Sequence, residues 1–407
     1  MLWDSDAHTF GALSVSAACE QTTKGQRMSG MRQVPTKWAG ARIHLTAVTC
    51  GTADSFLVAS EIWEAKDAGW KPPKGWARIR TIESHTGGEP LRLVIEGWPK
   101  IPGKTMLAKR SYAKKHHDNL RRLIMREPRG HWDMYGAILT EPVREDSDFG
   151  VLFMHNEGFS TMCGHGVIAV VTSILDMKMA RLHGGKRTLR LDTPAGLVIA
   201  KPQMERGRVK SVAFENVPSF VLAKDQYVDV EGLGSVRYDL VFGGAFYAYC
   251  DSKDLQVGLA PRDARRLVEV GMRVKRAVME TTEIRHPEDS DLGFLYGTII
   301  SKRIESSSAD VRNVCIFADG QIDRSPTGTG VSGRVALEHL RGNLPIGRTI
   351  RVESIVGSVF EGTPVRETKV GKYDAVVPRI EGSAWTSGRC EFWLDPHDQF
   401  NEGFLVG

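Results

Sequence analysis

The chain has 407 residues, long enough for one large domain or two with cores of their own. Its 54 Lys and Arg against 49 Asp and Glu leave a net charge of only +5, without the basic, aromatic-studded face of a nucleic-acid-binding protein. At 41% hydrophobic and 25% charged it reads as a globular protein working in water, and no apolar run is long enough to cross a bilayer. The cysteines at 19, 50, 163, 250, 315 and 390 are scattered, with no C-x-x-C pair and no secretory leader pattern. That spacing predicts free thiols and a reducing, cytoplasmic location.

Residues 1–75 are rich in Ser, Thr, Ala and Gly and end in the turn-rich "DAGWKPPKGW". They read as an accessory or poorly ordered extension, and Asp4, Asp6 and Glu20 count against a mitochondrial presequence. From Trp76 onward short β-type runs alternate with helices. Strands are expected at "WARIRTIESH" (76–85), "LRLVIEGW" (91–98), "GAILTEPV" (136–143), "FGVLFMHNE" (149–157), "RTLRLDTPAGLVIA" (187–200) and "VKSVAFENV" (209–217). Helices are expected at "NLRRLIMRE" (119–127) and "GHGVIAVVTSILDMK" (164–178), the second apolar on all sides and therefore buried. The basic run Lys109–Arg129, with Leu120, Leu123, Ile124 and Met125 at helical spacing, reads as a solvated helix face.

An internal repeat organises the rest. Shifting the chain by 164 residues lays Cys163-Gly164-x-Gly166-Val167 and Val171 on Thr327-Gly328-x-Gly330-Val331 and Val335. A Gly-Gly pair precedes each copy, Gly87-Gly88 and Gly243-Gly244, and a similar strand follows each, "RTLRLDTPAGLV" and "RTIRVESIVGSV". Matches in the same order predict a duplicated α/β unit, each copy with one Gly-rich turn opening into a buried helix. The cleft where the two helix starts face each other is then the natural site.

Gly328, Gly330 and Gly333 also spell G-x-G-x-x-G, with Glu353 twenty residues beyond the last. A dinucleotide fingerprint needs the first Gly to end a strand directly. Here the strand "NVCIFA" stops at Ala318, ten residues short of Gly328, and the copy at Cys163 lacks the third Gly. The context argues against a nucleotide. A helix start offers unpaired N–H groups and a partial positive charge, and Gly lets a carboxylate approach them closely. The same field favours thiolate at Cys163, whose ordinary pKa is roughly 8.5. A thiolate beside a bound carboxylate is placed to remove a proton from the α-carbon as a general base. A zinc site on Cys163 and His165 would lack a nearby second ligand pair, so no metal is expected.

"MCGHG" (162–166) and "DRSPTGTG" (323–330) resemble the two signature motifs of the proline racemase family, which also contains hydroxyproline epimerases and trans-3-hydroxy-L-proline dehydratases. "SHTGGEPLRLVIEG" (84–97), "EPRGHWDMYGAI" (127–138), "NVPSFV" (216–221), "GGAFYAY" (243–249) and "DPHDQFNEGFLV" (395–406) extend the likeness from Trp76 to the C-terminus. The resemblance implies an α/β (α+β) fold of two pseudo-symmetric halves, as in diaminopimelate epimerase, each a β-sheet wrapped round a central buried helix. The first half would span 76–215, with 384–407 returning to it, and the second 216–383. It implies a small-molecule substrate in the cleft, no cofactor, no nucleic-acid or membrane partner, and a homodimer.

Family racemases carry a Cys at both helix starts, one on each face of the α-carbon. This chain keeps Cys163 but has Thr327 at the second start, a hydroxyl too weakly acidic for two-base exchange. The Cys/Thr pair resembles the dehydratase branch, with racemase or epimerase activity lost or very slow. The alternatives are a proline or 4-hydroxyproline racemase or epimerase, which Thr327 disfavours, and a non-catalytic amino-acid-binding protein on the same scaffold, which would not need Cys163, His165 and Asp323 together. By the same resemblance His165 and Asp323 would bind the ring ammonium, and the N–H groups near Gly164, His165, Gly328 and Thr329 the carboxylate. Phe246 would line the pocket, and Thr327, the second catalytic position, would hydrogen-bond the ring, shape the second face or serve as a plain N-cap. His85 and Glu89, beside the first Gly-Gly, are further candidates for substrate contact. Val331 and Gly333 depart from the Thr and Ala more usual in the family.

Overall fold

The structure, a computed structural model, describes residues 71–180, 187–304 and 308–406. The extension expected over 1–75 lies, as far as residue 70, outside the described residues. Pro72–Gly407 form one compact unit.

Chain order in the first half is β1 (Ala77–Thr86), β2 (Glu89–Glu96), α1 (Met106–His116), α2 (Asp118–Met125), β3 (Tyr135–Thr140), β4 (Phe149–His155), β5 (Phe159–Ser160), α3 (Gly164–Asp176), β6 (Leu189–Thr193), β7 (Gly196–Glu205) and β8 (Arg208–Glu215). There follow β9 (Ser219–Val230), β10 (Gly234–Phe242), β11 (Phe246–Asp251), α4 (Ala264–Thr281), β12 (Leu295–Arg303), β13 (Val311–Phe317), β14 (Gln321–Ile322) and α5 (Gly328–Leu340). The chain closes with β15 (Ile350–Glu353), β16 (Val359–Val370), β17 (Tyr373–Gly382) and β18 (Ala384–Leu394).

The repeat in the sequence is a repeat of topology. A tight turn joins β1 to β2 at Gly87-Gly88 and β10 to β11 at Gly243-Gly244, and three of these four glycines have positive φ. A helical crossover, α1–α2 or α4, then returns the chain so that β3 lies parallel to β2 and β12 parallel to β11. Next comes an antiparallel neighbour, β4 or β13, and a short strand, β5 or β14, that leads to the central helix. Past the helix, β6 pairs parallel with β4, and β15 parallel with β13.

The two halves share their seam. β17 pairs through Ala375 and Val376 with β9, and through Arg379–Gly382 with β8. β18 then pairs with β1 along Ala77–Thr86, returning the last strand to the first half. Gly164–Ile174 of α3 are buried without a break, as are Gly328–Glu338 of α5. The first packs against β1, β7, β8 and β18, the second against β9, β10, β16 and β17. Each half therefore wraps its sheet round one central helix, which is why "GVIAVVTSIL" lacks a polar face.

Two local expectations are corrected. Lys109–Arg129 is a solvated face only in part: it breaks at His117 into α1 and α2, Lys114, Lys115 and His116 are exposed, and Lys109 and Arg121 are buried. Arg121 reaches inward to the carbonyls of His155 (2.8 Å) and Asn156 and pairs with Asp118. Its guanidinium satisfies carbonyls that the turn after β4 leaves unpaired. The run 187–200 is a hairpin, β6 and β7, turning at Pro194-Ala195.

Candidate active site

The starts of α3 and α5 meet head to head. A methyl group built on Gly164 would sit 2.4 Å from the Gly328 Cα, and one on Gly328 would sit 2.5 Å from the Gly164 Cα. Only glycine permits that approach. It points the first-turn N–H groups of both helices, which have no partner within the helix, at one small volume. Cys163 and Thr327 immediately precede the two glycines.

Around this junction Tyr135, Met162, Cys163, Gly164, His165, Tyr247, Tyr296, Cys315, Phe317, Asp323, Thr327, Gly328 and Thr329 line a narrow, tightly closed space. A larger cleft, between β9, β16–β17 and the end of α5, holds neither a thiol nor a helix start. The expected residues Cys163, Thr327, Gly164, His165, Asp323, Gly328 and Thr329 are all in the smaller lining.

The two helix starts are not chemically alike. Cys163 caps α3 with its sulfur, which accepts from the Gly166 N–H at 3.2 Å. The His165 Nδ1 lies 3.2 Å from the same sulfur and 4.0 Å from Asp323. Thr327 has φ 68° and ψ 97°, and its side chain makes no capping bond to α5. The plain N-cap reading of Thr327 is therefore corrected: its buried Oγ1 has no hydrogen-bond partner and is left over for something else. A β-branched residue at positive φ is strained, and strain of this kind collects at functional sites. Asp323 is held by an Asx turn, accepting from the Ser325 N–H at 2.8 Å.

The electrostatics correct a second expectation. Burial pushes the Cys163 thiol well above its ordinary range and Asp323 pushes the same way; the Gly166 N–H and the Tyr135 hydroxyl pull against them. Desolvation thus outweighs the helix-start field, and Cys163 rests as a thiol. Burial lowers the His165 pKa, against the pull of Asp323, so its ring is neutral near pH 7.

Phe246 is not on the pocket. It is wholly buried in a second core with Phe220, Phe242 and His286, and Tyr247 beside it faces the cavity instead. Alternation along β11 decides this: neighbouring side chains point to opposite faces. His85 stacks on Trp385, ring centroids 5.2 Å apart, outside the lining. Glu89 is buried behind the site, its Oε2 accepting from the Arg324 N–H at 2.7 Å and its Oε1 unpaired. Burial first, and Asp323 second, raise its pKa well above the ordinary carboxylate value.

Sequence reasoning missed the aromatic wall. Tyr135 and Tyr296, one from each half, join hydroxyls at 3.1 Å, and Tyr135 also meets Ser160 at 2.6 Å. The Tyr247 hydroxyl meets Thr329 Oγ1 at 2.7 Å. The repeat could have suggested Tyr135 and Tyr296, since each begins the strand after a helical crossover or stands beside that start. Gly333 also has a reason: a methyl group there would strike the Tyr249 hydroxyl, which bonds the Gly330 carbonyl at 2.6 Å.

With this geometry in place, the relatives are informative. The proline racemase family model matches residues 81–405. A trans-3-hydroxy-L-proline dehydratase of Colwellia psychrerythraea is 42% identical over 340 residues, 83% of this chain and 96% of that protein. A 3-hydroxyproline 2-epimerase of Burkholderia multivorans is 43% identical over 328 residues, 81% of this chain and 98% of that protein. The crystal structure of a hydroxyproline epimerase from Agrobacterium vitis, with bound trans-4-hydroxy-L-proline, superposes with a TM-score of 0.77 at 31% identity, covering 81% of this chain and 96% of that one. Matched over most of its length by the family model and by full-length relatives, with the same paired-half architecture, the chain belongs to the proline racemase family.

Proposed function

We propose that this protein is a hydro-lyase that converts trans-3-hydroxy-L-proline to Δ1-pyrroline-2-carboxylate and water, with Cys163 as the base. The observation that carries the reading is the unlike pair, Cys163 and Thr327, at two otherwise equivalent helix starts. The substrate carboxylate sits on the N–H groups of Gly164, His165, Gly328 and Thr329, and the ring ammonium lies against Asp323 and His165. That ammonium cancels the Asp323 charge, one of the causes that hold the Cys163 thiol up, while the Gly166 N–H and Tyr135 continue to favour thiolate.

In trans-3-hydroxy-L-proline the α-hydrogen and the 3-hydroxyl share the ring face opposite the carboxylate. Cys163 removes the α-proton, the C2–C3 double bond forms, and the C3–O bond breaks. The Cys163 thiol returns its proton to the departing hydroxide, so water leaves and the thiolate is restored. The enamine then moves a proton from nitrogen to C3 and becomes the cyclic imine. No second thiol at position 327 is needed, and Thr327 shapes the other face.

The same reading places the protein in the cytoplasm, supported by free thiols at Cys163, Cys250, Cys315 and Cys390, and as a homodimer, which rests on the family likeness. Among the described residues no helix is long and apolar enough to cross a membrane. The epimerase named among the relatives gives a second reading, inversion at C2. Proton NMR of trans-3-hydroxy-L-proline with the enzyme separates the two. Dehydration predicts loss of the C3 hydroxymethine signal and growth of the imine product; inversion as the main reaction would contradict it.

A further inference from the structure

α5 borders a second polar cavity, further along the helix than the catalytic one. Arg334 stands on α5 past Thr327, about two turns or ~10 Å along the axis. It is 7% exposed and lines a space of about 220 Å³ with Arg237, Lys302, Arg303 and Arg341, none of which lines the catalytic cavity. These five cations meet three carboxylates, and Asp225, outside the lining, takes up Arg237, so one positive charge is left over. Arg341 pairs with Asp239 at 2.8 Å, and Arg303 with Glu338 at 2.7 Å. Arg334 keeps only a share of Glu338 at 3.5 Å and donates to the Ser301 Oγ at 2.6 Å. Its Nε, also buried, has no hydrogen-bond partner. Burial lowers the Arg334 pKa, and a buried guanidinium with a spare N–H is costly unless something accepts from it. Tyr249 supports the group from one side, its ring centre 5.0 Å from the guanidinium carbon. Lys302 and Arg303 are exposed at the rim.

We propose that this cavity binds a small phosphate-type oxyanion, either the free ion or a phosphate group carried on a small organic molecule. Arginine keeps its charge when buried, and its planar fork of N–H donors suits the oxygens of such an anion. The anion supplies the acceptor that Arg334 lacks and balances the leftover charge, while Lys302 and Arg303 close over it from the rim. The space is smaller than the roughly 300–1,000 Å³ of pockets for larger organic ligands, which favours one phosphate with a few further atoms over a nucleotide. The site shares no lining residue with the catalytic cavity, so it stands whichever reaction that cavity performs.

The test is isothermal calorimetry of the full chain with inorganic phosphate and, separately, with glycerol 3-phosphate. The wild type should bind at least one of them, and Arg334→Gln should weaken that binding by about tenfold or more, the scale of one lost charge-assisted hydrogen bond. Arg334→Lys keeps the charge without the fork and should fall between the two. Lys302→Gln changes an exposed rim residue, leaves the core alone and should weaken binding by about threefold, the scale of an exposed charge pair. Lys201→Gln, an exposed cation on β7, should leave it unchanged. Tighter binding of the ester assigns the site to an organic phosphate, and equal or weaker binding of the ester assigns it to the free ion. A Kd weaker than about 10 mM for both ligands overturns the proposal. So does wild-type affinity in a folded Arg334→Gln or, should that variant not fold, in Lys302→Gln, since phosphate held at the two catalytic helix starts would bind all of these proteins equally.

Discussion

At the scale of single residues the account turns on how a buried thiol works as a base. Burial holds Cys163 above its ordinary range, so thiolate accumulates only as pH rises. The pH profile of kcat/KM, which reports the free enzyme, should climb with pH and have its midpoint above the ordinary thiol value of roughly 8.5. A plateau already reached near pH 7 would contradict that. Glu89 gives a stability counterpart. Its folded pKa is raised, so its contribution is fully present below the unfolded value of roughly 4.3 and is lost as pH rises towards the folded one. Glu89→Gln removes that slope, and thermal melts from pH 5 to about 9 should show the variant gaining on the wild type as pH rises. Phe246→Ala should cost about 3–5 kcal/mol of stability by denaturant titration, yet leave the KM of the folded fraction unchanged. The sequence placed Cys163, His165, Asp323 and Thr327 because motif spacing marks helix starts. It misplaced Phe246 by one residue because strand register decides which of two adjacent aromatics faces a cavity, and that register is set by pairing with β10 and β12.

At the scale of elements, the site is the contact between two helix starts, and its tolerance is that of Gly164 against Gly328. Gly164→Ala puts a methyl 2.4 Å from the Gly328 Cα, so the helices must separate. The expected cost is about 1–3 kcal/mol of stability, from overpacking. A shift of about 1 Å between base and substrate should cost on the order of a hundredfold in kcat/KM. Activity within a few-fold of wild type would mean that the helices do not jointly hold the carboxylate. Both buried helices were legible as elements, α3 from its all-round apolar run and α5 from the repeat. The reading of Lys109–Arg129 holds for Lys114 and Lys115 and misses Arg121, because a buried arginine that satisfies carbonyls has the same composition as a solvated one. Nothing in the local pattern distinguishes the two.

At the scale of the whole molecule, the duplicated topology was visible as a spacing of 164 residues, and the return of 384–407 to the first half was an expectation from the family resemblance, but the bridging of β8 and β9 by β17 was not anticipated. β17 bonds to both β8 and β9, and β18 then returns to β1, pairings that depend on strands far apart in the chain. The shared strand predicts that the halves do not unfold separately. In native-state hydrogen exchange, the slowest amides of α3 and α5 should report one common opening free energy. Two distinct values would show that each half melts alone.

The most direct test of the central claim is incubation of the purified protein with trans-3-hydroxy-L-proline, trapping Δ1-pyrroline-2-carboxylate with o-aminobenzaldehyde, with Cys163→Ser alongside. The account predicts colour from the wild type and none from the variant. Equal colour from both would remove Cys163 from the mechanism, and no colour from a wild type that binds the substrate would contradict the dehydratase reading.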